Sequence, residues 1–260
     1  MYQPIVSLET EAVASLEALV RWQQPDGNII YPDQFIALAE EMGVITAIDQ
    51  WVLRAACQQL RTWQQQEMGA WQWVEGRLIQ QPEATLPSLA MSMNVNLSSH
   101  HFAQKKLVET FASILQDTGL SGHYLKLEIT ESVFIQNAKE AANMLSQLKQ
   151  LNVQICLDDF GTGYSSLSYL HQFPIDMVKV DRSFIQDIDT DPEKLEIVRA
   201  IVGLCHTLNM AVTAEGIETL QQRDILLELG CEYGQGRLYW GATDGATLTQ
   251  ALEFTGQNPG

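Results

Sequence analysis

The chain has 260 residues, 46% of them hydrophobic, enough for one large core; an α/β barrel of about 250 residues is the usual size of that class. A formal net charge of −17 argues against nucleic acid as a partner, because a phosphate backbone needs a cationic footprint. A small anionic substrate fits such a chain where bound cations reverse the local field.

Tyr2 to Leu8 and Ala14 to Arg21 read as two strands joined through Glu9-Thr10-Glu11, a hairpin. Gln24-Pro25-Asp26-Gly27 is a turn, and Pro32 with Asp33 opens a helix that Gly43 ends. Ile48 to Gln66 follows as a longer helix with Trp51, Val52, Ala55, Leu60 and Trp63 on its apolar face. Residues 64 to 90 are rich in Gln and Trp and broken by Gly69, Gly76, Pro82 and Pro87. They read as a surface excursion packed by its own tryptophans, or as a docking surface for another domain.

From there strands and helices alternate, as a βα repeat requires. Strand patterns cover Met93 to Leu97, Leu125 to Ile129, Val153 to Leu157, Met177 to Val180 and Ala211 to Ala214. Helices are expected at 103–117, 138–150, 193–208 and 220–229. Cys57, Cys156, Cys205 and Cys231 show no metal or redox spacing and read as buried thiols of a reducing compartment. No signal peptide or membrane-length apolar stretch is present, so a cytoplasmic site without membrane contact is expected.

The strand ends carry the chemistry. Glu17 lies inside the second strand pattern; Asn96, Glu128, Asp158-Asp159, Lys179 and Glu215 each stand at the end of a later one. Neighbours alternate along a strand, so Asp158 and Asp159 converge only if the chain breaks there, a freedom assigned to Gly161 and Gly163. Two carboxylates so close repel unless a cation lies between them; helix caps are the plainer alternative. Asp181 follows Lys179 by a period of two, placing it on the same face. His100 and His101 invite a zinc reading, though histidines at a helix start are commonplace.

At these residues the chain resembles the EAL domain of bacterial cyclic di-GMP phosphodiesterases. The likeness rests on Glu17-Ala18-Leu19-Val20-Arg21-Trp22, Asn96-Leu97-Ser98, Glu128-Ile129-Thr130-Glu131, Asp158-Asp159-Phe160-Gly161-Thr162-Gly163, Lys179-Val180-Asp181, Ala214-Glu215-Gly216-Ile217-Glu218 and Gln235-Gly236. It implies a modified TIM (β/α)8 barrel with an antiparallel first strand and a metal-dependent hydrolysis of cyclic di-GMP to linear pGpG. It implies that Glu17, Asn96, Glu128 and Asp158 hold one metal, and that Asp158 bridges to a second shared with Asp159 and Glu215. Carboxylate and amide oxygens favour two Mg²⁺ or Mn²⁺ ions per site over zinc. Lys179 would orient water or stabilise developing charge, and Asp181 would fix the lysine or take the water's proton.

The same resemblance makes Glu131 the anchor of a loop over the barrel mouth, Thr162 to Leu167, which would also mediate a homodimer. It places Gln3, Arg21, Glu218 and Gln235 near the substrate. It suggests a module of a longer signalling protein with sensory or diguanylate-cyclase-like domains. The chain departs from the family pattern at Arg237 and Ala242, where Tyr and Pro are usual, and near Glu11 and Ser15, where glycines are usual. The alternative is an EAL module that binds cyclic di-GMP without cleaving it, or a scaffold acting through protein contacts.

Overall fold

The computed structural model describes residues 1–66, 71–74, 77–80, 91–136, 138–161 and 170–253. Eight strands close into a barrel. In chain order they are β1 (Tyr2–Ser7) and β2 (Val13–Ala18), then, after the short strands β3 (Trp22–Gln23), β4 (Ile29–Ile30), β5 (Trp71–Val74) and β6 (Arg77–Gln80), β7 (Ser92–Asn96), β8 (Leu125–Thr130), β9 (Gln154–Phe160), β10 (Met177–Val180), β11 (Ala211–Glu215) and β12 (Tyr233–Gln235). The spatial order is β1-β12-β11-β10-β9-β8-β7-β2. β1 runs antiparallel to both its neighbours, while all the other barrel pairs are parallel. The tight β1–β2 connection explains this, since a hairpin cannot join parallel strands.

That hairpin turns through Glu11 in a left-handed conformation (φ 57°), one of the positions where the resemblance led us to expect a glycine. The strained residue gains an ion pair, Arg223 Nη1 to Glu11 Oε1 at 2.7 Å. The 64–90 excursion includes the β5–β6 hairpin, which pairs with the β1–β2 turn through Ala12 and Gln72. Trp71 and Trp73 are buried there, with Trp73 edge-on to Tyr239 at 5.3 Å. Residues 67–70, 75–76 and 81–90 of the excursion lie outside the described residues.

Helices α1 (Pro32–Glu41), α2 (Ile45–Gln65), α3 (Ser99–Phe102), α4 (Leu107–Thr118), α5 (Ser132–Gln136), α6 (Ala138–Gln150), α7 (Arg182–Ile185), α8 (Pro192–Thr207), α9 (Leu220–Glu228) and α10 (Gly245–Glu253) fill the connections. Their buried residues recur every three or four positions, as in Leu107, Phe111, Ile114 and Leu115 of α4 or Val198, Ile201, Val202 and Cys205 of α8. α2 corrects the expected phase. Its buried face is Ile45, Asp49, Leu53, Ala56, Cys57, Leu60 and Trp63, whereas Trp51 is 65% exposed. Ala56 and Cys57 are small enough to bring α2 close, whereas Trp51 satisfies the helical spacing of an apolar face but falls on the outer side. All four cysteines are buried and free. Among the described residues no helix is long and apolar enough to cross a membrane.

Candidate functional site

One turn of side chains near the C-terminal ends of the parallel strands is almost wholly polar. Strand alternation brings Glu17, Glu128, Asp158, Lys179, Glu215 and Gln235 toward a single point. Lys179 is 1% exposed, and its Nζ lies 2.6 Å from Glu215, 3.1 Å from Glu128, 3.3 Å from Glu17 and 3.4 Å from Asp158. Amides tie the ring together. Asn96 Nδ2 donates to Glu17 Oε1 (2.8 Å), and Gln235 Nε2 donates to Glu17 Oε2 (2.7 Å) and to Gln3 Oε1 (3.1 Å). One layer down, Asn94 Nδ2 donates to Glu128 Oε1 at 2.8 Å.

The break at the acid pair differs from the expected one. β9 continues through both aspartates to Phe160, and its register against β10 shifts between Val178 and Val180. Asp159 itself adopts the left-handed conformation (φ 53°), which Asp tolerates better than most residues, and so turns beside Asp158. Asp158, Asp159 and Glu215 then offer carboxylate oxygens that all lie within 4.8 Å of one another.

Electrostatics set the protonation of this cluster. Burial alone would raise Glu17, but the Lys179 charge and hydrogen bonds from Gln235 and Asn96 bring it below the usual carboxylate value. Burial and the neighbouring Glu17 charge push Glu128 well up. Burial, with Asp158 and Glu17 adding to it against Lys179, pushes Glu215 up to about 7. Burial and Asp158 raise Asp159. Burial would lower Lys179, yet Glu128, Glu17, Glu215 and Asp158 hold it well above its ordinary value, so it stays charged.

Five carboxylates around one ammonium leave a strong negative excess, and Glu128 Oε2 is buried without a hydrogen-bond partner. The donors are all oxygens. Such a set fits hard divalent cations such as Mg²⁺ or Mn²⁺ and is poorly matched to zinc, which prefers sulfur and nitrogen. His100 and His101 stand apart from it: His100 faces Glu40 at 3.4 Å, and buried His101 faces Asp49 at 3.5 Å.

The remaining expected residues are spread around this centre. Gln3, Glu218 and Gln235 line the same cavity of about 600 Å³ as Glu17, Asp158, Lys179 and Glu215. Glu131 Oε1 accepts from the Gly161 amide at 3.4 Å, at the start of the expected loop; Thr162 to Leu167 lie outside the described residues. Asp181 accepts from the Ser183 amide at 3.0 Å and caps α7, so the carboxylates above, not Asp181, hold Lys179. Arg21 does not line the cavity. Its guanidinium sits 5.1 Å over the Tyr31 ring, beside an apolar groove with Trp22 and Phe35. Two contributors were missed: Asn94, findable as the period-two partner of Asn96, and Arg182, which lines the cavity directly after Asp181.

Residues 1–242 match the family model described as the EAL domain. The chain is 39% identical over 238 residues to the cyclic di-GMP phosphodiesterase NbdA of Pseudomonas aeruginosa, covering 92% of this chain and 28% of that protein. It is 36% identical over 238 residues to the cyclic di-GMP phosphodiesterase PdeR of Escherichia coli, covering 92% of this chain and 33% of that protein. Among solved structures, the MucR phosphodiesterase in complex with c-di-GMP aligns at a TM-score of 0.83 and 37% identity, over 95% of this chain and 92% of the other. The chain thus spans about a third or less of the length of these curated relatives. With the barrel, the inverted first strand and the acid ring all in place, the chain belongs to the EAL-domain family.

Proposed function

We propose that this domain is a metal-dependent phosphodiesterase that hydrolyses cyclic di-GMP to linear pGpG by in-line attack of water. The observation that carries this reading is the Lys179 ammonium ringed by four carboxylates, with Asp159 joining Asp158 and Glu215 at the rim. The two named phosphodiesterases and the c-di-GMP-bound relative support it.

Glu17, Asn96, Glu128 and Asp158 would hold one divalent cation, and Asp158, Asp159 and Glu215 a second. When bound, a Mg²⁺ or Mn²⁺ pair supplies Lewis acidity toward the phosphoryl oxygens and lowers the pKa of water. In the displacement the water oxygen bonds to one phosphorus and the P–O3′ bond breaks. A proton passes to the departing 3′ oxygen, and the water's second proton is taken up by a base. Asp181, which lies close enough to raise Asp159, is the candidate base. Lys179 holds the carboxylates in one ring and offers positive charge to the phosphoryl oxygens as they become more negative. Gln235 fixes Glu17 and is itself held by Gln3, Glu131 secures the backbone at Gly161, and Glu218 lines the cavity. The greater length of these relatives supports reading the domain as part of a longer signalling protein, and from the family resemblance we read it as cytoplasmic and as dimerising through the segment after Asp159.

The test is incubation of the chain with cyclic di-GMP and Mg²⁺ or Mn²⁺, with pGpG followed by chromatography. Turnover that disappears with a chelator and in Glu17→Ala is expected. Full activity in Glu17→Ala would overturn the assignment, and tight binding without turnover would make the domain a receptor.

A further inference from the structure

The cavity at the barrel mouth carries more negative charge than its buried lysine can offset, yet the proposed substrate is itself a dianion. Lys179 is buried and shared among four carboxylates, so its charge serves the reacting phosphoryl group and leaves none for a second phosphate. Two other cations line the cavity, Arg182 and Arg237. Arg182 is exposed, and among the described residues it has no carboxylate within salt-bridge distance. Arg237 is 84% exposed, and its one contact of this kind is Glu218 at a loose 3.7 Å. Arg182 therefore keeps its planar fork of donors available to a ligand in a chain of net charge −17.

The root of Arg182 is held in place. Gly216 follows Glu215 with φ 74°, and a Cβ there would lie 2.6 Å from the Arg182 Cβ. The turn after β11 therefore packs directly beneath the arginine stem, fixing where the guanidinium starts relative to Glu215. Arg237 enters from the segment after β12, next to Gln235 and Gly236. The two arginines thus follow β10 and β12, the strands on either side of β11, and line the same cavity.

We propose that Arg182 and Arg237 are substrate-positioning residues, gripping the anionic backbone of the cyclic dinucleotide outside the acid ring. This rests on the reading of the site as one for cyclic di-GMP. In that site the acid ring and its cations serve the phosphate being cleaved; the second phosphate, across the macrocycle, needs its own counter-charge. A guanidinium provides two parallel donors to a phosphate, which an ammonium does not. Arg237, which stands where the family resemblance leads to a Tyr, makes this wall more cationic in this chain.

The experiment compares the wild-type chain with Arg182→Ala, Arg182→Lys, Arg237→Ala and the surface control Arg54→Ala, whose side chain pairs with Asp117 away from the cavity. Both kinetics and equilibrium binding of cyclic di-GMP are read with Mg²⁺ across a salt series. Arg182→Ala is expected to raise KM and weaken binding by about 10- to 100-fold, the range for losing a charged hydrogen bond. Its kcat should change little, the pattern of lost uniform binding. Arg182→Lys should recover only part, Arg237→Ala should act in the same direction, and both alanine variants should show a shallower salt dependence. Unchanged affinity and salt dependence in both alanine variants would overturn the proposal, as would a fall in kcat at unchanged KM. Wild-type binding without turnover would remove the hydrolase reading and leave the arginines to be judged on affinity; no wild-type binding at all would overturn both.

Discussion

Replacing Lys179 by Met tests the electrostatic logic of the barrel interior. The side chains are similar in volume, so the change removes charge more than packing. Four carboxylates within 3.4 Å of Nζ lose the ammonium they share, in a position just 1% exposed. Removing one partner of a buried ion pair costs about 3–5 kcal/mol, because the remaining charge stays out of water. At about 2–4 °C per kcal/mol for a chain of this size, the melting temperature at pH 8 without divalent ions should fall by roughly 10 °C. The loss should shrink toward pH 5, where Glu215 (about 7 in the intact site) and Glu128 take up protons and relieve the repulsion. Mg²⁺ or Mn²⁺ should restore stability more in the variant than in the parent, since cations then supply the missing charge. Thermal melts at pH 5 and pH 8, with and without EDTA, measure all three effects. A variant as stable as the parent at pH 8 in EDTA, with no response to cations, would refute the reasoning.

Four further outcomes are expected. Glu215 binds a proton more tightly folded (about 7) than its usual carboxylate value of 4.5, so the metal-free protein should lose stability as pH rises from about 4.5 to about 7. Apparent Mn²⁺ affinity should rise over the same window; a pH-independent affinity by calorimetry would contradict the assigned donor. Gly122→Ala places a Cβ onto the Leu151 carbonyl oxygen and should cost about 1–3 kcal/mol in urea unfolding, where no loss would mean the short 3₁₀ turn Gly122–Tyr124 before β8 is not held against the α6 end. Trp73→Ala empties the contact with Tyr239 and should cost about 3–5 kcal/mol while leaving turnover per folded molecule unchanged. A selective loss of turnover would show that the 64–90 excursion reaches the site.

Much of the site was legible because its strands announce themselves twice, by apolar runs and by a polar residue where each run ends. Period-two alternation places Glu128 and Lys179 on the inner face without any tertiary information. What alternation cannot supply is local backbone choice. Asp159 turns inside its strand by its own left-handed conformation (φ 53°), and Gly161 (φ 97°), one of the two glycines expected to supply that freedom, makes its turn only after Phe160 ends the strand. Nor does pattern reveal which way a long side chain leans: Arg21 follows Glu17 closely in sequence but lies over Tyr31, whereas Arg182 reaches the cavity unannounced. The phase of α2 failed for a related reason. Trp51 satisfies helical spacing, yet the smaller Ala56 and Cys57 decide which face approaches the barrel. Asp181 satisfies the period-two rule only on paper, because β10 ends at Val180 and the aspartate is used as a cap.

The central claim is that water attacks a phosphorus of cyclic di-GMP in the acid ring around Lys179. The most direct measurement is the product mass after incubation with cyclic di-GMP and Mg²⁺ in ¹⁸O-enriched water. The account predicts pGpG carrying a single ¹⁸O on its 5′-phosphate, formed by the parent chain and absent with Glu17→Ala. Intact cyclic di-GMP after long incubation, or pGpG formed equally by Glu17→Ala, would contradict it.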